Sequence, residues 1–168
     1  YFKSLGIRRV DRVMLVLRRQ YQFWFALLGL HKLGAVAIPA TDQLQEHDYA
    51  YRFEKAGVSA ILCTAAGAAA DIVDRAAQDR PDMVKILAGG SRAGWHDFDE
   101  EYELFSGRFM RAQDAPMGTD PMLMFFTSGT TGQPKLAMHD YRYPLGHFIT
   151  AKYWQCVDPE GLHLTISD

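Results

Sequence analysis

Hydrophobic and polar positions fall along this chain in two kinds of block: short continuous apolar runs, and longer segments with apolar residues at helical spacing. Val13-Met14-Leu15-Val16-Leu17 is a run of strand length, and Gln20 to Leu33 carries apolar residues around most of a helical surface. A strand without polar alternation is buried on both faces, and a helix that is apolar nearly all round is buried as well. Gly34 stands where the helix would stop, and Ala35 to Ile38 follows as a second buried strand ended by Pro39. The logic then repeats, with a helix over Glu46 to Lys55, a stop at Gly57 and a strand from Val58 to Cys63. Ala65 to Gln78 is a helix by propensity, weakened at its start by Gly67, and Met83 to Leu87 is a further strand. Strand–helix–strand spacing of this kind predicts parallel pairing through right-handed crossovers, hence an α/β fold: a mainly parallel sheet flanked by helices.

From Ala88 to Thr119 the pattern loosens into Gly89-Gly90, a short acidic helix over Asp97 to Leu104, and a polar stretch through Gln113 to Gly118. Pro121 to Phe126 is again strongly apolar. It runs directly into a turn rich in Gly, Ser and Thr, after which Leu136 to His139 reads as a returning strand. A helix from Tyr143 to Trp154 and a strand from Leu162 to Ile166 complete the pattern, without internal repeats.

Composition narrows the class. With 168 residues, 48% hydrophobic and 23% charged, the chain can bury a core. Its 18 basic and 20 acidic residues are mixed along the sequence, which argues against a nucleic-acid partner. Phe23 to Leu33 is too short to cross a bilayer, so no membrane span is expected. Cys63 and Cys156 have no second Cys or His at metal-ligand spacing and read as small buried hydrophobes in a reducing compartment, which points to the cytoplasm. The sequence opens without Met on what looks like the end of a helix and stops just after an alternating strand pattern. The expectation is a single partial α/β domain over residues 1–168, cut at both ends.

The chemistry concentrates in Thr127-Ser128-Gly129-Thr130-Thr131-Gly132-Gln133-Pro134-Lys135, which holds two glycines, four hydroxyls, a proline and a lysine. Glycines let backbone N–H groups approach an anion, hydroxyls add donors, and Lys135 adds a cation. An ordinary polar hairpin turn has a similar composition. The spacing excludes a Walker A loop, in which Lys follows the second Gly directly; here Gln133 and Pro134 intervene. The Rossmann G-x-G-x-x-G pattern is absent as well.

Thr127 to Lys135 resembles the signature loop of the adenylate-forming enzymes, which include acyl-CoA synthetases, luciferases and peptide-synthetase adenylation domains. Gly34-Ala35-Val36-Ala37-Ile38-Pro39 is similar to a strand these enzymes carry upstream, so the resemblance covers most of the chain. Leu136 to Asp140 and the segment from Trp154 to Asp168 look most like the medium-chain acyl-CoA synthetase branch. The resemblance implies an acid:CoA ligase using ATP, Mg²⁺ and coenzyme A, which activates a carboxylic acid as its adenylate and passes it to the thiol. It further implies that Thr127 to Gly132 hold the β- and γ-phosphates with Gln133 and Pro134 completing the loop. Lys135 and the Thr127 hydroxyl then act in the chemistry, with Thr130 near the metal. Val10 and Leu136 depart from the glycines common in relatives. The family's adenine-site, ribose-site and hinge segments, and the lysine of its mobile C-terminal domain, have no counterpart, so the isolated stretch is expected to be inactive. An aryl- or amino-acid-adenylating relative and a non-catalytic phosphate-binding module are the alternatives.

Outside the loop the expectations are structural. His139 reads as a hydrogen-bonding residue after a strand, Tyr153 and Trp154 as core aromatics, and Asp97, Asp99, Glu100, Glu101 and Glu103 as a solvated helix face. Ser128 has no recognisable histidine and acid partners for a hydrolase.

Overall fold

The computed structural model describes residues 1–128 and 132–163. In chain order the elements are β1 (Arg12–Val16), α1 (Gln22–Leu33), β2 (Val36–Pro39), α2 (Glu46–Ala56), β3 (Ala60–Thr64) and α3 (Ala69–Ala76). They continue with β4 (Val84–Ala88), β5 (His96–Asp97), α4 (Phe98–Tyr102), β6 (Pro121–Thr127), β7 (Lys135–Asp140) and α5 (Tyr143–Tyr153). Among the described residues the strands form one seven-stranded sheet in the order β5-β4-β3-β1-β2-β6-β7. All neighbours pair in parallel except β6 and β7, which form an antiparallel pair. The expected α/β class is therefore present, with one returning strand at the edge.

Burial explains why the apolar runs become strands. Met14 and Val16 of β1 point into one core cluster, with Ile61 and Cys63 of β3 and with Tyr49 and Phe53 of α2. Val13 and Leu15 point to the opposite face, with Ala60, Leu62, and Ala26 and Leu30 of α1. From β1 the chain steps to β2 over α1. It then turns back across β1 to β3 over α2, so that reversing direction while keeping one crossover hand puts the two helices on opposite faces. In β6 a register irregularity between Pro121 and Leu123 brings Met122 and Leu123 to the same cluster, the one under α1.

Helix ends follow the glycines. Gly34 and Gly57 have φ of 84° and 60°, left-handed values that a side chain disfavours. At each, the glycine N–H and the next residue's N–H donate back into the last turn: Gly34 to His31 O with Ala35 to Leu30 O, and Gly57 to Glu54 O with Val58 to Phe53 O. The opening residues, which form turns, show the same pairing, Gly6 N–H to Lys3 O and Ile7 N–H to Phe2 O.

Several expectations need correction. α3 starts at Ala69 rather than Ala65, because Ala66 N–H turns back onto the Thr64 hydroxyl at 3.1 Å and the chain passes through a turn first. The acidic helix shrinks to Phe98–Tyr102, and the two-residue β5 before it was not anticipated. α1 is only half buried: Gln22, Ala26 and Leu30 face the sheet, while Tyr21, Trp24, Phe25 and Leu28 are exposed. Cys63 is buried as expected but Cys156 is exposed. Leu162 and His163 are not in a strand, and the rest of the strand expected over Leu162 to Ile166 lies outside the described residues.

Candidate functional site

Because β1, β2, β3 and β6 run parallel, their carboxyl ends lie along one edge of the sheet, where open α/β sheets bind ligands. The direction of the crossovers changes between β1 and β3, and the turn after β6 lies on the same edge. An ion pair between Arg18 and Asp42 ties together the segments leaving β1 and β2.

The turn is framed by a tight antiparallel pair. Phe126 is opposite Leu136 and Thr127 opposite Lys135, and the Thr127 hydroxyl donates to Lys135 O at 3.4 Å. Phe126 and Leu136 pack onto the core cluster beneath α2, which anchors the base of the hairpin. Above that base, Thr127, Ser128, Gly132, Gln133 and Lys135 are exposed and Pro134 is half-buried. Gly132 has φ of 96° and open space where a Cβ would project, so its glycine answers to backbone conformation and not to crowding. Gly129, Thr130 and Thr131, the middle of the expected phosphate cradle and the expected metal contact, lie outside the described residues.

Two residues that the sequence did not single out support this hairpin. Tyr51 on α2 donates its hydroxyl to Pro134 O at 2.9 Å. The Arg52 guanidinium lies 5.1 Å from the Phe126 ring centroid and is held by Asp48, through the backbone O at 3.1 Å and Oδ1 at 3.3 Å. The partners that tie them to the hairpin, Pro134 and Phe126, lie far along the chain, so no local pattern marks that contact.

His139 is part of a ring stack. Its centroid is 5.9 Å from Phe125 and 4.0 Å from Tyr143, and Tyr143 is 4.5 Å from His147. His139, Tyr143 and His147 line a shallow depression of about 490 Å³ with Asp140 and Arg142. His139 lies within β7 and meets its neighbours as a packed ring, without the hydrogen bond expected of it among the described residues. Tyr153 and Trp154 are exposed, so the core placement expected for them does not hold among the described residues. The acidic run is not a plain solvated face either. Asp97 caps α4 by accepting from Asp99 N–H and Glu100 N–H, and Asp99 accepts from Gly89 N–H at 2.7 Å and from Gln22 Nε2 at 2.9 Å. Glu101 meets His96 Nδ1 at 3.1 Å. Among the described residues no group of three His, Cys, Asp or Glu side chains could hold a metal ion.

Fold and turn together define a class: a doubly wound α/β sheet with a glycine- and hydroxyl-rich turn at the edge formed by the strands' carboxyl ends. Residues 1–165 match the family model described as AMP-binding enzyme, and the chain belongs to that family. It is 32% identical over 169 residues to the acyl-coenzyme A synthetase ACSM4, mitochondrial, of Rattus norvegicus, covering 99% of this chain and 28% of the relative. The human acyl-coenzyme A synthetase ACSM5, mitochondrial, is 31% identical over 170 residues, 98% of this chain and 28% of the relative. The chain thus spans just over a quarter of the length of these relatives. Both are named as mitochondrial, so they lend no support to the cytoplasmic placement inferred from the cysteines. Among solved structures, an anthranilate CoA ligase in complex with anthranoyl-AMP superposes with a TM-score of 0.76 at 22% identity, covering 90% of this chain and 29% of that one. A benzoate CoA ligase from Burkholderia xenovorans gives 0.75 at 20% identity, covering 90% and 29%. At such identities these two establish the fold. No helix among the described residues is long and apolar enough to cross a membrane.

Proposed function

We propose that the protein is an ATP-dependent acid:CoA ligase in which Thr127 to Lys135 receives the phosphates of ATP, and that its acid is a medium-chain fatty acid. The observation that carries the reading is the placement of that turn: a hydroxyl- and glycine-rich hairpin at the carboxyl end of β6, with Lys135 as the first residue of the returning strand. The kinship with acyl-coenzyme A synthetases supports the acyl substrate.

In the first step a carboxylate oxygen attacks the α-phosphorus of ATP, the bond to the bridging oxygen of the β-phosphate breaks, and pyrophosphate leaves. Exposed donors at Thr127, Ser128 and Gln133 meet the negative charge that grows on the departing group. Lys135 supplies a point charge from the hairpin's exit. In the second step the thiol sulfur of coenzyme A attacks the acyl carbonyl carbon, the C–O bond breaks, and AMP leaves with that oxygen. A magnesium ion, when bound, would neutralise phosphate charge. The Thr130 hydroxyl would help to hold such an ion on the nucleotide. By the same reading the stretch of 168 residues, just over a quarter of its relatives' length, is inactive on its own.

The test is pyrophosphate release by the protein expressed from its complete reading frame, with ATP, Mg²⁺, coenzyme A and acids from acetate to long-chain fatty and aryl acids. Release with octanoate above acetate, long-chain and aryl acids supports the reading. Release with aryl acids alone moves the assignment to an aryl-acid ligase, and none with any acid moves it to a non-catalytic module.

A further inference from the structure

Both ends of the turn bear on consecutive residues of α2. At the entry, Phe126 is covered by the Arg52 guanidinium and lies 6.3 Å, ring to ring, from Tyr51. At the exit, Pro134 O accepts the Tyr51 hydroxyl at 2.9 Å. The helix is a rigid support, because Tyr49 and Phe53 on its inner side are fully buried against the sheet.

We infer that Tyr51 is a positioning residue for Lys135, fixing the Pro134–Lys135 peptide and so the direction in which the lysine meets the nucleotide's phosphates. This rests on the reading of Thr127 to Lys135 as the phosphate loop. Proline has no N–H, so the carbonyl is the only backbone hydrogen-bonding group by which residue 134 can be held. The carbonyls on either side of the Lys135 Cα are each held by a hydroxyl: Pro134 O by Tyr51 and Lys135 O, at 3.4 Å, by Thr127. With both peptide planes held, the Cα–Cβ direction of Lys135 is set. β7 pairs with β6, and no further strand supports its other side among the described residues. Its other restraints at the first residue are the pairing with Thr127 on β6 and the packing of the adjacent Leu136 on the core. Arg52 acts one step back: bonded to Asp48 and stacked on Phe126, it keeps the hairpin base at the distance that lets the Tyr51 hydroxyl reach.

A merely structural hydrogen bond would change stability and leave the two half-reactions in step. A positioning bond slows adenylate formation selectively, since misplacing a charged group by about 1 Å costs up to roughly 100-fold in rate. The experiment uses the protein from its complete reading frame, with octanoate or whichever acid releases most pyrophosphate. It compares Tyr51→Phe, Lys135→Ala and the double variant by ATP–pyrophosphate exchange, by thioester formation from the supplied acyl-adenylate, and by thermal midpoint. Tyr51→Phe keeps the ring and removes only the hydroxyl. It is expected to slow exchange roughly 10- to 100-fold, leave thioester formation within about two-fold, and shift the midpoint by no more than a few degrees. Because Tyr51 acts through Lys135, the double variant should be within about two-fold of Lys135→Ala alone.

Exchange within about two-fold of wild type for Tyr51→Phe, equal losses in both half-reactions, or effects that multiply in the double variant would each overturn the inference. If Lys135→Ala slows exchange while Tyr51→Phe does not, only this inference fails. If Lys135→Ala leaves exchange unchanged, the phosphate-loop reading fails and takes the inference with it.

Discussion

Replacing Lys135 by alanine removes the one cation of the turn while leaving its backbone in place. The side chain is exposed at the first position of β7, so folding stability should change by no more than about 0.5 kcal/mol. Its effect on chemistry follows from Coulomb's law. A unit charge about 4 Å from a phosphate charge contributes about 1 kcal/mol in water and about 4 kcal/mol at an effective dielectric near 20. Those limits correspond to about 5-fold and about 1,000-fold in rate. Lys135 is exposed in the free chain and faces the nucleotide when it is bound, so the value falls between those limits, at roughly 10- to 100-fold in adenylate formation. The assay is single-turnover pyrophosphate release from the complete protein at saturating ATP and acid, alongside thioester formation from preformed acyl-adenylate. The second rate should stay within about two-fold, because pyrophosphate has already left. Equal losses in both steps, or no loss in either, would refute the role given to the lysine.

Other outcomes follow from particular contacts. Burial pushes the Cys63 thiol up to about 12, whereas Cys156 is exposed, so a thiol reagent at neutral pH should label Cys156 in the native chain and reach Cys63 only on unfolding; peptide mapping of the label checks it. Burial lowers the pKa of His31, whose Nε2 has no partner, so the folded state resists its protonation. Its contribution is complete above the unfolded value of about 6.5 and is lost as the pH falls from there, and urea midpoints should show that decline in the wild type and not in His31→Phe. Asp99 joins α4 to Gly89 and to α1, so Asp99→Ala should cost about 1–3 kcal/mol and lower the thermal midpoint, whereas a solvated acidic face would tolerate it.

The sheet was legible where burial on both faces forces a continuous apolar run. β1, β2 and β3 all start and end within about two residues of Val13 to Leu17, Ala35 to Ile38 and Val58 to Cys63. Gly34 and Gly57 marked helix ends because left-handed backbone leaves few alternatives. The two residues of β5 carry no periodicity to detect, and the shortening of α3 depends on one hydroxyl–amide bond at Thr64. Apolar content placed α1 against the sheet but could not say which of its sides the sheet would cover, so the exposed stripe of Tyr21, Trp24, Phe25 and Leu28 went unseen. The acidic run looked solvated because its partners, Gly89 and Gln22, are distant in sequence. The turn announced itself through composition, while Tyr51 and Arg52 became visible only when α2 was laid beside β6 and β7.

The measurement that tests the account most directly follows oxygen through the reaction. The complete protein is given an acid labelled with ¹⁸O in its carboxylate, unlabelled ATP, Mg²⁺ and coenzyme A, and the phosphorus-containing products are examined by mass spectrometry. An acyl-adenylate route predicts AMP carrying one ¹⁸O atom per turnover and unlabelled pyrophosphate, because the acid's oxygen bonds to the α-phosphorus and stays there when the thiol takes the acyl group. Label in inorganic phosphate with ADP as the nucleotide product, or thioester formed with unlabelled AMP, would contradict it.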